Sequence, residues 1–295
     1  MPGAAHSDRE GPVIIQALLV GEDTELGASL TTAVAPGAWS IQYAPSNAAA
    51  LALAAKVHFD LIVTHEKTSG HEDIELLREI RRVSPHTRLI ILTGHSTPAD
   101  VITSMREHAF SYFSQPICAD DLVHMILRAA EEPCWDDGIE VVSAIPDWIR
   151  TRVRCELKTA DRLSQFFNEI FDLPDAERKD VARAFREILL NAVEHGGQLD
   201  PSKYVEIDYV RARHVVTCRI VDPGPGFKRD DLPHAAIANP PDDPVKHMAV
   251  REEQGMRPGG FGILVAQHLV DDLIYDEDGN EVMLVKYLDA PPESP

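Results

Sequence analysis

Three short stretches carry residue types whose spacing fits chemistry. In VARAFREILLNAVEHGG, Glu187, Asn191 and His195 recur every four residues, so a helix presents all three on one face. Val181, Phe185, Ile188 and Leu189 supply the opposite, apolar side. A carboxylate one helical turn from an amide can accept a hydroxyl proton while the amide oxygen ligates a cation; the plainer reading is a solvated polar stripe on an amphipathic helix. In VDPGPGF, Asp222 ends a β-branched run, and Gly224 and Gly226 follow between prolines. An acid there can accept from an exocyclic amine while the glycines admit a flat ring against the backbone; an ordinary Gly/Pro turn is the plainer reading. In RPGGFGILVAQHLVD, Gly259, Gly260 and Gly262 lead into an apolar helix, and a glycine-rich helix start offers free N–H groups to phosphate, or simply acts as a hinge.

These residues need a scaffold, and the sequence reads as two. From residue 13 to about 131, apolar strand runs (VIIQALLV, WSIQYA, DLIVT, RLIILT, SYF) alternate with helix-period segments, which predicts a doubly wound α/β domain on a five-stranded parallel sheet. Pro133 and the DDG at 136–138 mark a boundary. Beyond it the order predicts a strand over 139–155, helices near 158–171 and 175–195, and a hairpin of YVEIDYV and VVTCRIV. An irregular stretch over 223–258, a helix near 261–272 and a last hairpin turning at DEDGN complete an α+β layout with helices on one face of a mostly antiparallel sheet. The domains expected are 12–132 and 139–290.

The net charge of −20 argues against a nucleic-acid groove or an anionic membrane surface as partner. Cys118, Cys134, Cys155 and Cys218 are scattered, without CxxC or a histidine cluster, and read as reduced, buried thiols. The polar, acidic start MPGAAHSDREG is unlike a signal peptide and VIIQALLV is too short to span a bilayer, so the expectation is a soluble cytoplasmic protein.

Taken in order, the three stretches resemble the ATPase domain of gyrase, histidine kinases and MutL, the Bergerat α/β sandwich, and within it the anti-sigma-factor serine kinases, over roughly 139–290. EILLNAVEHG is similar to the family's asparagine box, DPGPGF to its first glycine box and GGFGI to its second. The resemblance implies an ATP and Mg²⁺ site in which Glu187 is the general base, Asn191 a Mg²⁺ ligand and Asp222 the acceptor for the adenine amine. It further implies that Gly224 and Gly226 floor the base and that Gly259, Gly260 and Gly262 cradle the phosphates. The long stretch between the boxes reads as a lid; of its Lys228, Arg229, Lys246, Arg251 and Arg257, the last, beside the second glycine box, is the expected γ-phosphate partner. No histidine lies between His124 and His195, which argues against a histidine kinase. The implied function is a protein serine/threonine kinase acting on a STAS-type anti-anti-sigma protein or holding a sigma factor, and the resemblance also suggests a homodimer; the alternative is a non-catalytic, ATP-sensing, partner-binding regulator.

Residues 12–132 resemble the response-regulator receiver, with Glu22 and Asp23 after the first strand and Thr93 after the fourth. His65 stands at the position of the phospho-accepting aspartate and Gln115 at that of the lysine, so both the carboxylate nucleophile and its compensating cation are missing. The reading is a pseudo-receiver; the sharper alternative is that His65 itself takes phosphate or binds a metal with Glu22 and Asp23.

Overall fold

The computed structural model describes residues 14–21, 24–33, 37–65, 67–131, 136–226, 236, 243, 245–253 and 260–288. Contact clustering divides the chain into one unit of residues 1–96 and 109–135 and a second of residues 97–108 and 136–295.

The first sheet is parallel, in the order β2-β1-β3-β4-β5, with β1 Ile15–Val20, β2 Trp39–Ala44, β3 Leu61–Val63, β4 Arg88–Thr93 and β5 Ser111–Ser114. The intervening helices are α1 Thr24–Ala33, α2 Asn47–Ala54, α3 Gly70–Val83 and α4 Pro98–Arg106, and α5 Ala119–Glu131 follows β5. Strands β3 and β4 are buried along their whole length, as a sheet covered on both faces requires. Helix starts follow local chemistry. Ser46 caps α2, while Ser69 with Glu72 and Thr97 with Asp100 form capping boxes at α3 and α4. Leu19, Leu61, Val63, Ile90 and Leu92 pack with Phe110, Phe113, Leu122, Met125 and Ile126 to form the core under α5.

One carboxyl sits inside this unit. Asp73 of α3 is fully buried and accepts from Asn47 Nδ2 at 2.8 Å, Thr68 Oγ1 at 2.8 Å and Thr64 Oγ1 at 3.0 Å. Thr64 in turn receives the Leu92 N–H at 2.8 Å, so the network joins α2, α3 and β4. Burial pushes the Asp73 carboxyl up from 3.8 to about 6 despite those three bonds. The folded state therefore holds the proton more tightly than the unfolded chain. That contribution is full below about pH 4 and is lost as pH rises through about 6, a change on the order of 3 kcal/mol. Asp73→Asn is expected to flatten this decline. Urea unfolding of both proteins between pH 4.5 and 7 checks it, and identical pH profiles would refute the burial account.

The second sheet is antiparallel throughout, in the order β10-β11-β9-β8-β7-β6. Its strands are β6 Ile139–Ile145, β7 Trp148–Arg154, β8 Tyr204–Ala212, β9 Val215–Val221, β10 Asp272–Tyr275 and β11 Glu281–Tyr287. The helices are α6 Leu157–Ile170, α7 Asp175–Asn191, α8 Lys246–Glu253 and α9 Gly262–Leu269. The single strand expected over 139–155 is a hairpin: Asp147 follows Pro146 between two alternating runs, and the pairing carries a bulge between Val141 and Ser143. The face of α7 bearing Val181, Phe185, Ile188 and Leu189 is buried as expected. Phe185 stacks on Phe167 of α6 at 4.6 Å, with Phe171 and Tyr209 edge-on or tilted around them. The outer face of the sheet is charged instead, where Arg219 bridges Asp208 and Glu281, and Asp208 also holds Arg150. Of the described cysteines, Cys155 and Cys218 are buried free thiols, whereas Cys118 is exposed, contrary to the expectation for all four; Cys134 lies outside the described residues.

Candidate functional site

Helix α7 positions the first group. Glu187 and Asn191 are half-buried on the side away from Phe185 and Leu189. The α-helical ladder stops at Asn191, and residues 192–196 form a π turn. This corrects the expected stripe of Glu187, Asn191 and His195 at its last member. The i→i+5 ladder moves His195, which is exposed, out of the register shared by Glu187 and Asn191. Such turns recur at functional sites.

Close approaches bring the three stretches together. A Cβ on Gly262, the first residue of α9, would lie 2.9 Å from Glu187 Oε2 and 3.5 Å from Asn191 Nδ2. The second glycine stretch thus packs directly on the two polar residues of α7. At the other end of the π turn, a Cβ on Gly196 would lie 2.2 Å from Asp222 Cγ. A Cβ on Gly224 would meet Gly196 O at 2.8 Å. At Gly224 the obstacle is backbone and cannot give way as a flexible side chain could, whereas at Gly262 the end of the Glu187 side chain could swing aside.

Asp222 follows β9 and is held on both sides. Its N–H donates to Asn280 O at 2.9 Å, and its Oδ1 accepts the Gly224 N–H at 2.8 Å. Partial burial pushes its carboxyl above the usual range, with the Gly224 bond opposing. Tyr275 of β10 is likewise pushed up, first by burial and then by the Asp222 charge, which puts a half-buried phenol near the acid. Gly226 adopts φ +75°, and a Cβ there would lie 2.0 Å from Asp278 O, so the first glycine stretch rests on the β10–β11 turn. That turn is itself fixed by Asp276, whose Oδ1 accepts from Gly279 N at 2.8 Å and Glu281 N at 3.1 Å.

Gly260 has φ +91° and its carbonyl accepts the Ala236 N–H at 2.8 Å. The buried His247 of α8 packs edge-on against Phe261 at 4.5 Å. The expected lid therefore contains a helix and touches the second glycine stretch at two points. Arg257 and Gly259 lie outside the described residues, as do Lys228 and Arg229; the Arg251 side chain is not described, and Lys246 is exposed. Among the described residues no group of three or more His, Cys, Asp or Glu is placed to hold a metal ion. The oxygen donors at the α7–α9 crossing are those of Asn191 and Glu187, a set that suits a hard cation ligated mainly by a substrate's phosphates.

In the first unit, Thr93 Oγ1 is bonded to Thr68 O at 3.0 Å and His95 O at 2.9 Å. The His65 ring covers Gly21, and its Nδ1 accepts the Lys67 N–H at 3.0 Å. Glu22, Asp23 and Glu66 lie outside the described residues.

Sequence reasoning missed Gly196, Tyr275 and Asn280. The doubled glycine at 196–197 was the available signal for a close crossing; nothing local marks Tyr275, which reaches Asp222 only through strand pairing.

Comparison with known proteins names both halves. Residues 153–286 match the model of the Histidine kinase-like ATPase domain, and residues 17–127 match the Response regulator receiver domain. The chain thus carries a receiver domain followed by a histidine kinase-like ATPase domain, which implies ATP binding. Their pairing suggests a signalling regulator. The transcriptional regulatory protein GlrR of Escherichia coli K12 is 28% identical over 155 residues, 51% of this chain and 35% of its own. The acid tolerance regulatory protein ActR of Rhizobium meliloti is 26% identical over 129 residues, 44% of this chain and 66% of its own. The chain spans about a third of the length of the first of these curated relatives. Among solved structures, a CheY-like receiver domain protein from Methanospirillum hungatei is 23% identical, with a TM-score of 0.35, over 40% of this chain and 95% of its own. No helix among the described residues is long and apolar enough to cross a membrane.

Proposed function

We propose that the chain is an ATP- and Mg²⁺-dependent protein serine/threonine kinase of the anti-sigma type, regulated through a pseudo-receiver over 12–132 that precedes a kinase domain over 139–290. The observation that carries the reading is the crossing at which Gly262 meets Glu187 and Asn191 within one side chain's reach. In this reading Asn191 holds Mg²⁺ and Asp222 accepts from the adenine amine, with Gly224 and Gly226 beneath the base. The N–H groups at the start of α9, with Gly259 and Gly260, take the phosphates, and Arg257 pairs the γ-phosphate. Mg²⁺, when bound, would supply charge neutralisation for the triphosphate. The Glu187 carboxylate takes the proton of a partner's serine or threonine hydroxyl as that oxygen bonds to the γ-phosphorus and the bond to the β-phosphate oxygen breaks, leaving ADP. The partner is a STAS-type anti-anti-sigma protein or a sigma factor, and the kinase acts as a homodimer in the cytoplasm. His65 and Gln115 support the pseudo-receiver, because neither can take phosphate as an acyl phosphate or compensate it.

The test is thermal unfolding with and without Mg²⁺-ATP. At a hundred times its dissociation constant ATP should stabilise the wild-type domain by about 2.7 kcal/mol, and Asp222→Ala should lose most of that shift. An equal shift in both proteins would place the nucleotide elsewhere, and no shift in either would leave a fold without a working pocket.

A further inference from the structure

The solvent side of an antiparallel sheet is ordinarily polar, and one end of the outer face of the second sheet is not. Strand pairing aligns Ile145 of β6, Trp148 of β7, Val210 of β8 and Thr217 of β9 in one row across neighbouring strands. Ile145 is 59% exposed, Trp148 41% and Val210 40%. Ala212, Val215 and Tyr287 pair in the next row and extend the apolar area to β11. Contiguous exposed apolar patches of this kind mark interaction sites. This one lies near the start of β9, whereas Asp222 follows the other end of that strand, about 17 Å along it from Thr217.

The rest of the face narrows the choice of partner. On the adjoining rows Arg150 and Arg219 share Asp208, Arg219 also binds Glu281, and Arg152 lies between Glu140 and Glu206. These charges pair within the chain, three cations with four carboxylates, and present little net sign to a basic peptide or a polyanion. The row is also graded in size. Val210 has Trp148 one strand away on one side and Thr217 one strand away on the other. A two-fold axis running along the strands past Val210 exchanges those two positions, so the bulky ring of each copy lies over the small side chain of the other. Face-to-face sheets pack in this aligned way, about 10 Å apart. Six strands about 4.8 Å apart, most of them seven residues long at about 3.4 Å each, make a face roughly 24 Å on a side. That is on the scale of the ~800 Å² per copy that a stable dimer buries.

We propose that this apolar end of the sheet is the contact between two copies of the chain, with Trp148 of each copy packed on Thr217 of the other across Val210. The proposal rests on the homodimeric part of the functional reading and gives it a face, but it uses no residue assigned to the nucleotide.

The test is sedimentation velocity of the full chain over a range of concentrations, with thermal unfolding with and without Mg²⁺-ATP on the same samples. The wild type is expected to dimerise reversibly. Trp148→Arg and Thr217→Asp should each raise the dimer dissociation constant about thirtyfold or more, the loss typical of a central aromatic anchor or of an unpaired charge buried at an interface. An equimolar mixture of the two variants should form a mixed dimer, because the new arginine and the new aspartate then face each other at one of the two equivalent contacts. Both substitutions are on the outer face of the sheet, and an unchanged unfolding midpoint without nucleotide verifies that the fold is kept. The shift with Mg²⁺-ATP should be the same in all samples, so a wild type that dimerises without any shift counts against the kinase reading and leaves this contact standing. A wild type that stays monomeric, a dimer that survives both variants, or a mixture that stays monomeric overturns the proposal.

Discussion

Glu187→Ala is expected to lower phosphoryl transfer to a partner hydroxyl by about 10²- to 10⁴-fold while ATP still stabilises the protein. The two effects separate because the Glu187 carboxylate meets α9 at Gly262, whereas the acid proposed for the base, Asp222, sits at the other end of the π turn. Glu187→Gln is the sharper companion variant. It keeps the shape and a hydrogen-bonding oxygen beside Asn191 but cannot take a proton, so a kinase should lose transfer in both variants. The assay is phosphate incorporation into a candidate partner alongside the ATP-dependent thermal shift. Retained transfer in Glu187→Gln would remove the general-base role. Regulation of a partner that persists in both variants would favour the ATP-sensing, non-catalytic reading.

Gly226→Ala is expected to destabilise the second unit by about 2 kcal/mol or more and to weaken ATP binding with it. Two costs coincide there. The backbone stands at φ +75°, where an L side chain is strained, and the new Cβ would lie 2.0 Å from Asp278 O. Asp278 cannot easily retreat, since its turn is pinned by the Asp276 carboxylate. Gly37→Ala makes a useful contrast: its φ is +81° but nothing lies within 4 Å, so only the backbone strain of about 1–2 kcal/mol applies. Chemical denaturation of the two variants compares strain alone with strain plus collision. Equal losses would mean that the contact with the β10–β11 turn is cheaply relieved.

The elements that could be read from sequence are those whose signals are local. The parallel strands announce themselves as unbroken apolar runs such as RLIILT, and the helices through period and caps such as Ser69 with Glu72. The polar face of α7 was legible down to Glu187 and Asn191 for the same reason. The π turn was not, because AVEHG has ordinary helical residues and the extra backbone residue is imposed by what packs against it, namely Asp222 on Gly196 and Cys155 on Gly197. The β6–β7 hairpin was missed because Ile145, Pro146 and Asp147 lack the Asn-Gly signature of a tight turn. Tyr275 and Asn280 join the site through the pairing of β10 and β11 with β9, information that exists only once the sheet is assembled.

The π turn between Asn191 and Gly196 divides the proposed pocket into two halves with separate mechanical origins. The half proposed for catalysis is set by an ordinary α-helical ladder, while the half proposed to recognise the base depends on one backbone residue beyond that ladder. Shortening the turn by a single residue would rotate Gly196 away from Asp222 without disturbing Glu187, Asn191 or their crossing with Gly262. On the proposed reading, choice of nucleobase and competence for transfer would be separable heritable traits, and a one-codon deletion would erase the first while sparing the second.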